Sequence, residues 1–234
     1  MSSTIRFGAS VRGPAHVRAG TPNQDAWMTR RVHGCDVLVV ADGMGSRPLS
    51  QIGSVSACRA VVDALRIWLP NQGSGSLVLA GLIQTSWRAH INATSPDDAA
   101  TTCAFAFLSP SGGLVGRIGD GLALWRVSGS IESLSSTPDR AAANETDALG
   151  VTRTLGAWRF AELLSDTTAV ALCTDGISED LLPDRYDTFM DWLHSDLAPL
   201  RPAIRRRRLR NALENWPTPR HLDDKTLAYM EFRP

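Results

Sequence analysis

The sequence predicts an α+β fold in which sheets are covered by helices, on three observations. Short apolar runs bounded by glycines recur at 36–41, 102–109, 113–120, 122–129 and 168–173, the length and composition of strands. Between them, 50–69 and 77–92 read as a pair of longer helical segments. Further helical segments gather near the end, ahead of a last strand, and strand blocks separated by helix pairs fit a layered domain.

Each element has its own reason. DVLVVA (36–41) is continuously apolar between Gly34 and Gly43, as a strand buried on both faces should be. From Ser50 to Leu69 the residues Ile52, Val55, Cys58 or Arg59, Val62, Leu65 and Leu69 mark one helix face, and Pro70 stops it. NQGSGS (71–76) is a flexible connector to a second helix from Leu77 to about Asn92. TCAFAFLS (102–109), GLVGRIGD (113–120) and LALWRVSG (122–129) read as a three-stranded antiparallel meander with glycine turns. SSTPDRAAANETDALG (135–150) has no core-forming period and reads as a surface excursion. Thr168 to Cys173 is another strand, helices follow around 185–198 and 201–216, and Thr226 to Phe232 closes the chain as a strand.

With 234 residues, 43% of them hydrophobic, the chain fits one domain over 1–234. A chain of this size buries roughly 70–75% of its unfolded surface without staples. Lys+Arg and Asp+Glu number 24 each, so no net field draws it to nucleic acid or to an anionic membrane. IRRRRLR (204–210) is broken by Ile204 and Leu209, with Leu213 beyond, at near-helical spacing, and reads as a solvated helix face. Cys35, Cys58, Cys103 and Cys173 lack metal-knuckle spacing and read as buried hydrophobes in a reducing compartment. The start lacks a secretory apolar region, and no stretch approaches the roughly 18 apolar residues of a span, so a cytoplasmic protein is expected.

The chemistry lies where strands end. VVADGMGSRP (39–48) runs from apolar residues into Asp42-Gly43. The arrangement returns at TAVALCTDG (168–176) with Asp175 and at LVGRIGDG (114–121) with Asp120. HLDDKTLAYM (221–230) places Asp223 and Asp224 just before a strand, and TPNQDAW (21–27) puts Asp25 in a loop ahead of the first strand. One Asp-Gly is a turn; five acidic sites at strand termini suggest a converging cluster. Carboxylates brought that close must protonate or be met by cations. An all-oxygen ligand set selects hard ions, Mg²⁺ or Mn²⁺, over zinc. Glycine after aspartate lets a main-chain carbonyl join them. Two such ions sharing a carboxylate suit hydrolysis of a phosphate ester.

NQD (23–25), DGMG (42–45), ATT (100–102), GDG (119–121), TDG (174–176) and DDKT (223–226) resemble, in order, the signatures of the metal-dependent serine/threonine protein phosphatases, the type 2C family. The resemblance runs from about residue 8 to the C-terminus. It implies a four-layer α-β-β-α sandwich, two antiparallel sheets packed face to face with helices outside, and a bacterial-type catalytic domain standing alone. It implies hydrolysis of phosphoserine and phosphothreonine in proteins by metal-activated water, with two Mn²⁺ or Mg²⁺ ions and a weaker third. A phosphorylated protein is the implied substrate, and a Ser/Thr kinase of the same pathway the implied partner.

By position, the resemblance makes Asp42 the bridging carboxylate and the Gly43 carbonyl a ligand, with Asp175 and Asp223 on the other metal. Asp25 would hold a metal's water, and Asp120 with Glu179 or Asp180 would form the third site. Thr101 and Thr102 are read as packing residues, and His221 as an ordinary loop histidine or a neighbour tuning the metal site. The stretch 135–155 would be a flap where substrate preference is set. Three positions depart from the family pattern. Gln24 replaces a metal-contacting glutamate with a neutral amide; Gly20 stands where a phosphate-gripping arginine is usual, leaving Arg18 as the candidate; Met44 replaces a histidine, so water protonates the leaving group. Gln24 and Gly20 motivate a rival reading, a weak or inactive relative that binds phosphoproteins as a scaffold.

Overall fold

Two antiparallel five-stranded sheets make the centre of the protein, which is a computed structural model describing residues 3–71, 75–92, 95–135, 147–216 and 222–233. The first sheet runs β1 (Ser3–Val11), β10 (Lys225–Arg233), β9 (Thr167–Cys173), β6 (Leu122–Val127), β7 (Ser130–Leu134). The second runs β2 (Asp25–Val32), β3 (Cys35–Asp42), β4 (Cys103–Ser109), β5 (Gly112–Ile118), β8 (Arg159–Leu163). Successive residues of a strand face opposite ways, and each face has its own cover. Leu38, Val40, Ala104 and Val115 of the second sheet meet Ala123, Val170, Leu172, Ala228 and Met230 of the first in a sheet-on-sheet core. Val37, Val39 and Ala41 turn to the other side, where α2 (Ser50–Trp68) and α3 (Ser76–Ile91) cover them with Val61, Leu65, Ile83 and Trp87. The first sheet's outer face, with Phe7, Ala171 and Tyr229, packs on α5 (Tyr186–Asp191), the π turn Trp192–Leu197 and α6 (Pro202–Glu214). The four-layer order is therefore helices, sheet, sheet, helices, as the resemblance implied.

Four strands had no counterpart in the sequence reading: β1, β2, β7 and β8. All four are sheet edges. An edge strand is covered on fewer sides and keeps polar residues, as in β2, where Thr29, Arg30 and Arg31 interrupt the apolar pattern. Asp25 accordingly begins β2 rather than lying in a loop. The three-stranded meander is also corrected. β4 and β5 form a hairpin in the second sheet, but β6 pairs with β7 and β9 in the first. The crossing is made at Gly119-Asp120-Gly121, where both glycines take left-handed backbone (φ 94° and 99°) that a side chain would strain.

Two smaller corrections concern the helices. Ile52 and Val55, counted in the buried stripe of α2, are 44% and 37% exposed. On α6, Arg205 is not on the solvated face: its Nε and Nη2 donate to the carbonyls of Leu197, Ala198 and Leu200, and it lies over the Phe7 ring. The four cysteines are buried and free, and burial pushes the Cys103 thiol up to about 12.

Candidate metal centre

The carboxylates converge because their strands end at one edge of the sandwich. Asp42 is the last residue of β3, and the β2–β3 register sets it opposite Asp25. Its backbone is pinned from the side: the Asp42 carbonyl accepts from Thr102 N and Thr101 Oγ1, both at 2.8 Å, and its N–H donates to Thr102 Oγ1 at 3.2 Å. The two threonines read as packing thus hold Asp42 in place. Gly43 follows in a slot no side chain could enter, since a Cβ there would stand 2.7 Å from the Ser50 carbonyl.

Asp175 opens the short turn of helix α4 (Asp175–Ser178) just past β9. Gly176 lets that turn close on residues 223–224, because a Cβ would meet the Asp224 carbonyl at 2.0 Å. With Asp120 delivered by the crossover, carboxylate oxygens of Asp42, Asp120 and Asp175 all lie within 4.8 Å of one another. These side chains are partly exposed at the mouth, and Asp25 is buried behind them.

Such crowding disfavours ionisation. Burial, then the charges of Asp25 and Asp175, holds Asp42 far above the usual carboxylate range. Burial pushes Asp175 up to about 6, with the charges of Asp120, Asp223 and Glu179 adding to it against a hydrogen bond with Asp42. Burial pushes Asp25 up to about 8, even though the hydroxyls of Thr226 and Thr174 favour its charged form. Thr174 Oγ1 donates to Asp25 Oδ2 at 2.8 Å, while Asp25 Oδ1 and Asp175 Oδ1 are buried with no partner. Buried acceptors left bare are costly, and a hard cation with its waters would satisfy them. The donor set is all oxygen, so the residues fit Mg²⁺ or Mn²⁺.

The other expected residues fall around this cluster. Asp223 has a half-exposed carboxylate whose charge acts on Asp175, and its Oδ1 lies 3.9 Å from His16 Nδ1. Glu179, at the end of α4, also acts on Asp175, whereas Asp180 turns one oxygen into a buried position without a partner. Met44 is anchored by its N–H to the Ala100 carbonyl and offers no acidic proton. Arg18 sits on α1 (Pro14–Ala19), donates to the Pro14 carbonyl, and lines a cavity with Trp216 and Lys225. That cavity shares no lining residue with the one holding Gln24 and Gly45, where the guanidinium is that of Arg47. His221 and much of the 135–155 flap lie outside the described residues.

Two residues gained no role from sequence. Asp224 is 2% exposed and accepts from Gly13 N and Gln24 N, both at 2.6 Å, and its Oδ2 lies 2.9 Å from His16 Nδ1. It knits residues 13–24, and so Gln24 and Asp25, to the start of β10. The doubled Asp223-Asp224 was the available signal, but nothing in it says which carboxylate faces inward. Arg47 went unremarked because its neighbours Ser46 and Pro48 read only as a turn.

Residues 12–214 match the family model described as protein phosphatase 2C. No curated protein matches the sequence closely enough to count as a relative. Among solved structures, a bacterial serine phosphatase superposes with TM-score 0.68 at 17% identity, covering 100% of this chain and 98% of that one. Serine/threonine phosphatase Stp1 from Staphylococcus aureus gives 0.67 at 16%, covering 100% and 96%. The catalytic domain of serine threonine protein phosphatase PstP, in complex with two manganese ions, gives 0.62 at 20%, covering 100% of both chains. At these identities the superpositions speak for the fold.

Proposed function

The chain belongs to the protein phosphatase 2C family, and from that premise we propose a metal-dependent hydrolase of phosphoserine and phosphothreonine in proteins, centred on Asp42, Asp120 and Asp175. The observation that carries this reading is the triad of carboxylates with oxygens within 4.8 Å, backed by a buried fourth, Asp25. Asp42, the Gly43 carbonyl, Asp175 and Asp223 would hold two Mn²⁺ or Mg²⁺ ions. Asp120 with Glu179 or Asp180 would hold a third ion more weakly. When bound, such ions supply a water nucleophile near neutral pH and charge to neutralise the phosphoryl oxygens.

The chain's own groups do the rest. Asp25 Oδ1, buried and unpartnered, is set to accept a hydrogen bond and a proton from a water brought to the cluster. Thr174 holds the other oxygen of Asp25 in place. Thr101 and Thr102 keep Asp42 from retreating. With methionine at 44 the leaving alkoxide takes its proton from solvent. The substrate is a phosphorylated protein, supplied by a Ser/Thr kinase of the same pathway. No helix among the described residues is long and apolar enough to cross a membrane.

The test is turnover of p-nitrophenyl phosphate and of a phosphothreonine peptide with Mn²⁺. Turnover that EDTA and Asp42→Ala both abolish is expected. Unchanged turnover in Asp42→Ala would refute the site. Absence of turnover alongside retained phosphopeptide binding would favour the scaffold reading instead.

A further inference from the structure

Next to the carboxylates, at the start of α2, the fold leaves a cavity of about 350 Å³, the size of sites that take a side chain or small ligand. Pro22, Gln24, Gly45, Arg47, Leu49 and Ile52 line it. Its polar groups are incompletely satisfied. Gln24 is 9% exposed, and its Oε1, beside Gly45, has no hydrogen-bond partner. Arg47 gives Nη1 to Asp97 Oδ2 at 2.8 Å, yet its Nε is buried with no acceptor. Both atoms are buried, so neither is open to an incoming chain, and the apolar rim makes the contact surface.

The rim is apolar and open. Ile52, in the first turn of α2, is 44% exposed, and Leu49, just ahead of the helix, 36%. Among the described residues Arg47 is the sole charged one in the lining, and Asp97 pairs with it. An acidic side chain would therefore find no unpaired cation there, while an aliphatic one would cover Leu49 and Ile52. The cavity borders the metal centre through Gln24, which precedes Asp25 and whose carbonyl accepts from Gly43 N at 3.2 Å. An extended peptide advances about 3.3 Å per residue, so a chain with its phosphate on the carboxylates enters this cavity with a near neighbour.

We propose that this cavity is a specificity pocket for an aliphatic side chain within two residues of the phosphorylated serine or threonine. The inference rests on the phosphatase reading and names the substrate class of that site.

The experiment measures dissociation constants, with Mn²⁺ present, for peptides carrying a non-hydrolysable phosphonate in place of the phosphothreonine ester. Leu or Glu is placed at each of the two positions on either side, and p-nitrophenyl phosphate turnover is followed in parallel. At one position Leu is expected to bind at least about tenfold tighter than Glu, as burial of an aliphatic side chain gives. Ile52→Glu should erase that preference, whereas Ile67→Glu, at an exposed site further along α2, should keep it. Equal binding of Leu and Glu at every position overturns the pocket, as does a preference that survives Ile52→Glu. Absent turnover with the preference intact overturns the phosphatase reading and leaves the pocket standing.

Discussion

Asp25 is pulled two ways, toward chemistry and against stability. It is buried with one oxygen bare, and its carboxyl is pushed up to about 8 by burial. An unfolded aspartate ionises near 3.9, so the folded state holds this proton where the unfolded state has lost it. The sign follows: this stabilisation is complete below about pH 4 and is lost as pH rises toward 8. Asp175, pushed up to about 6, acts in the same direction over the lower part of that window. In thermal melts without metal, Tm should therefore fall between pH 5 and 8, and Mn²⁺ should recover more of it at pH 8 than at pH 5. A Tm that climbs across that window without metal would contradict the account. Asp25→Asn cannot ionise, so it should melt higher than wild type at pH 7.5 without metal. Its Mn²⁺-dependent turnover should drop about 10–100-fold, the usual effect of losing a group one step from the metal. These residue types were legible, because Asp-Gly after an apolar run is a visible signal. Asp224 and Arg47 were not, since their roles depend on which loop backbone lies against each side chain.

At the scale of elements, the interior strands β3, β4, β5, β6, β9 and β10 could be read from sequence and the edges β1, β2, β7 and β8 could not. Interior strands are covered on both faces and both sides, so apolar residues crowd into them, as in β3, where seven of eight residues are buried. Edge strands carry a mixed pattern that resembles loop. Helix α6 teaches the opposite lesson. Its arginine run looks solvated, but Arg205 satisfies three carbonyls where the π turn ends. Arg205→Ala should cost about 3 kcal/mol in denaturant unfolding, since buried carbonyls lose their donor. Arg206→Ala, on the exposed side, should change stability by less than about 0.5 kcal/mol.

For the whole molecule, stability is concentrated in the core between the sheets, and the site depends on it only indirectly. Leu38 is fully buried there, so Leu38→Ala should lower unfolding free energy by about 2–5 kcal/mol. Mn²⁺ affinity of the folded fraction should stay near wild type, measured by calorimetry below Tm; a parallel loss of affinity would mean the sheets position the carboxylates more delicately than their backbone pinning suggests. The sequence by itself determined the layered α+β class, the six interior strands and the acidic residues at strand ends, because burial periodicity and Asp-Gly punctuation are local properties of a chain. Only the tertiary structure decided that the turn at Asp120 crosses between sheets, that Asp224 turns inward while Asp223 stays half exposed, and that Ile52 borders a cavity instead of the core. Those outcomes depend on contacts between residues up to 211 positions apart, such as Gly13 with Asp224, which no local pattern encodes.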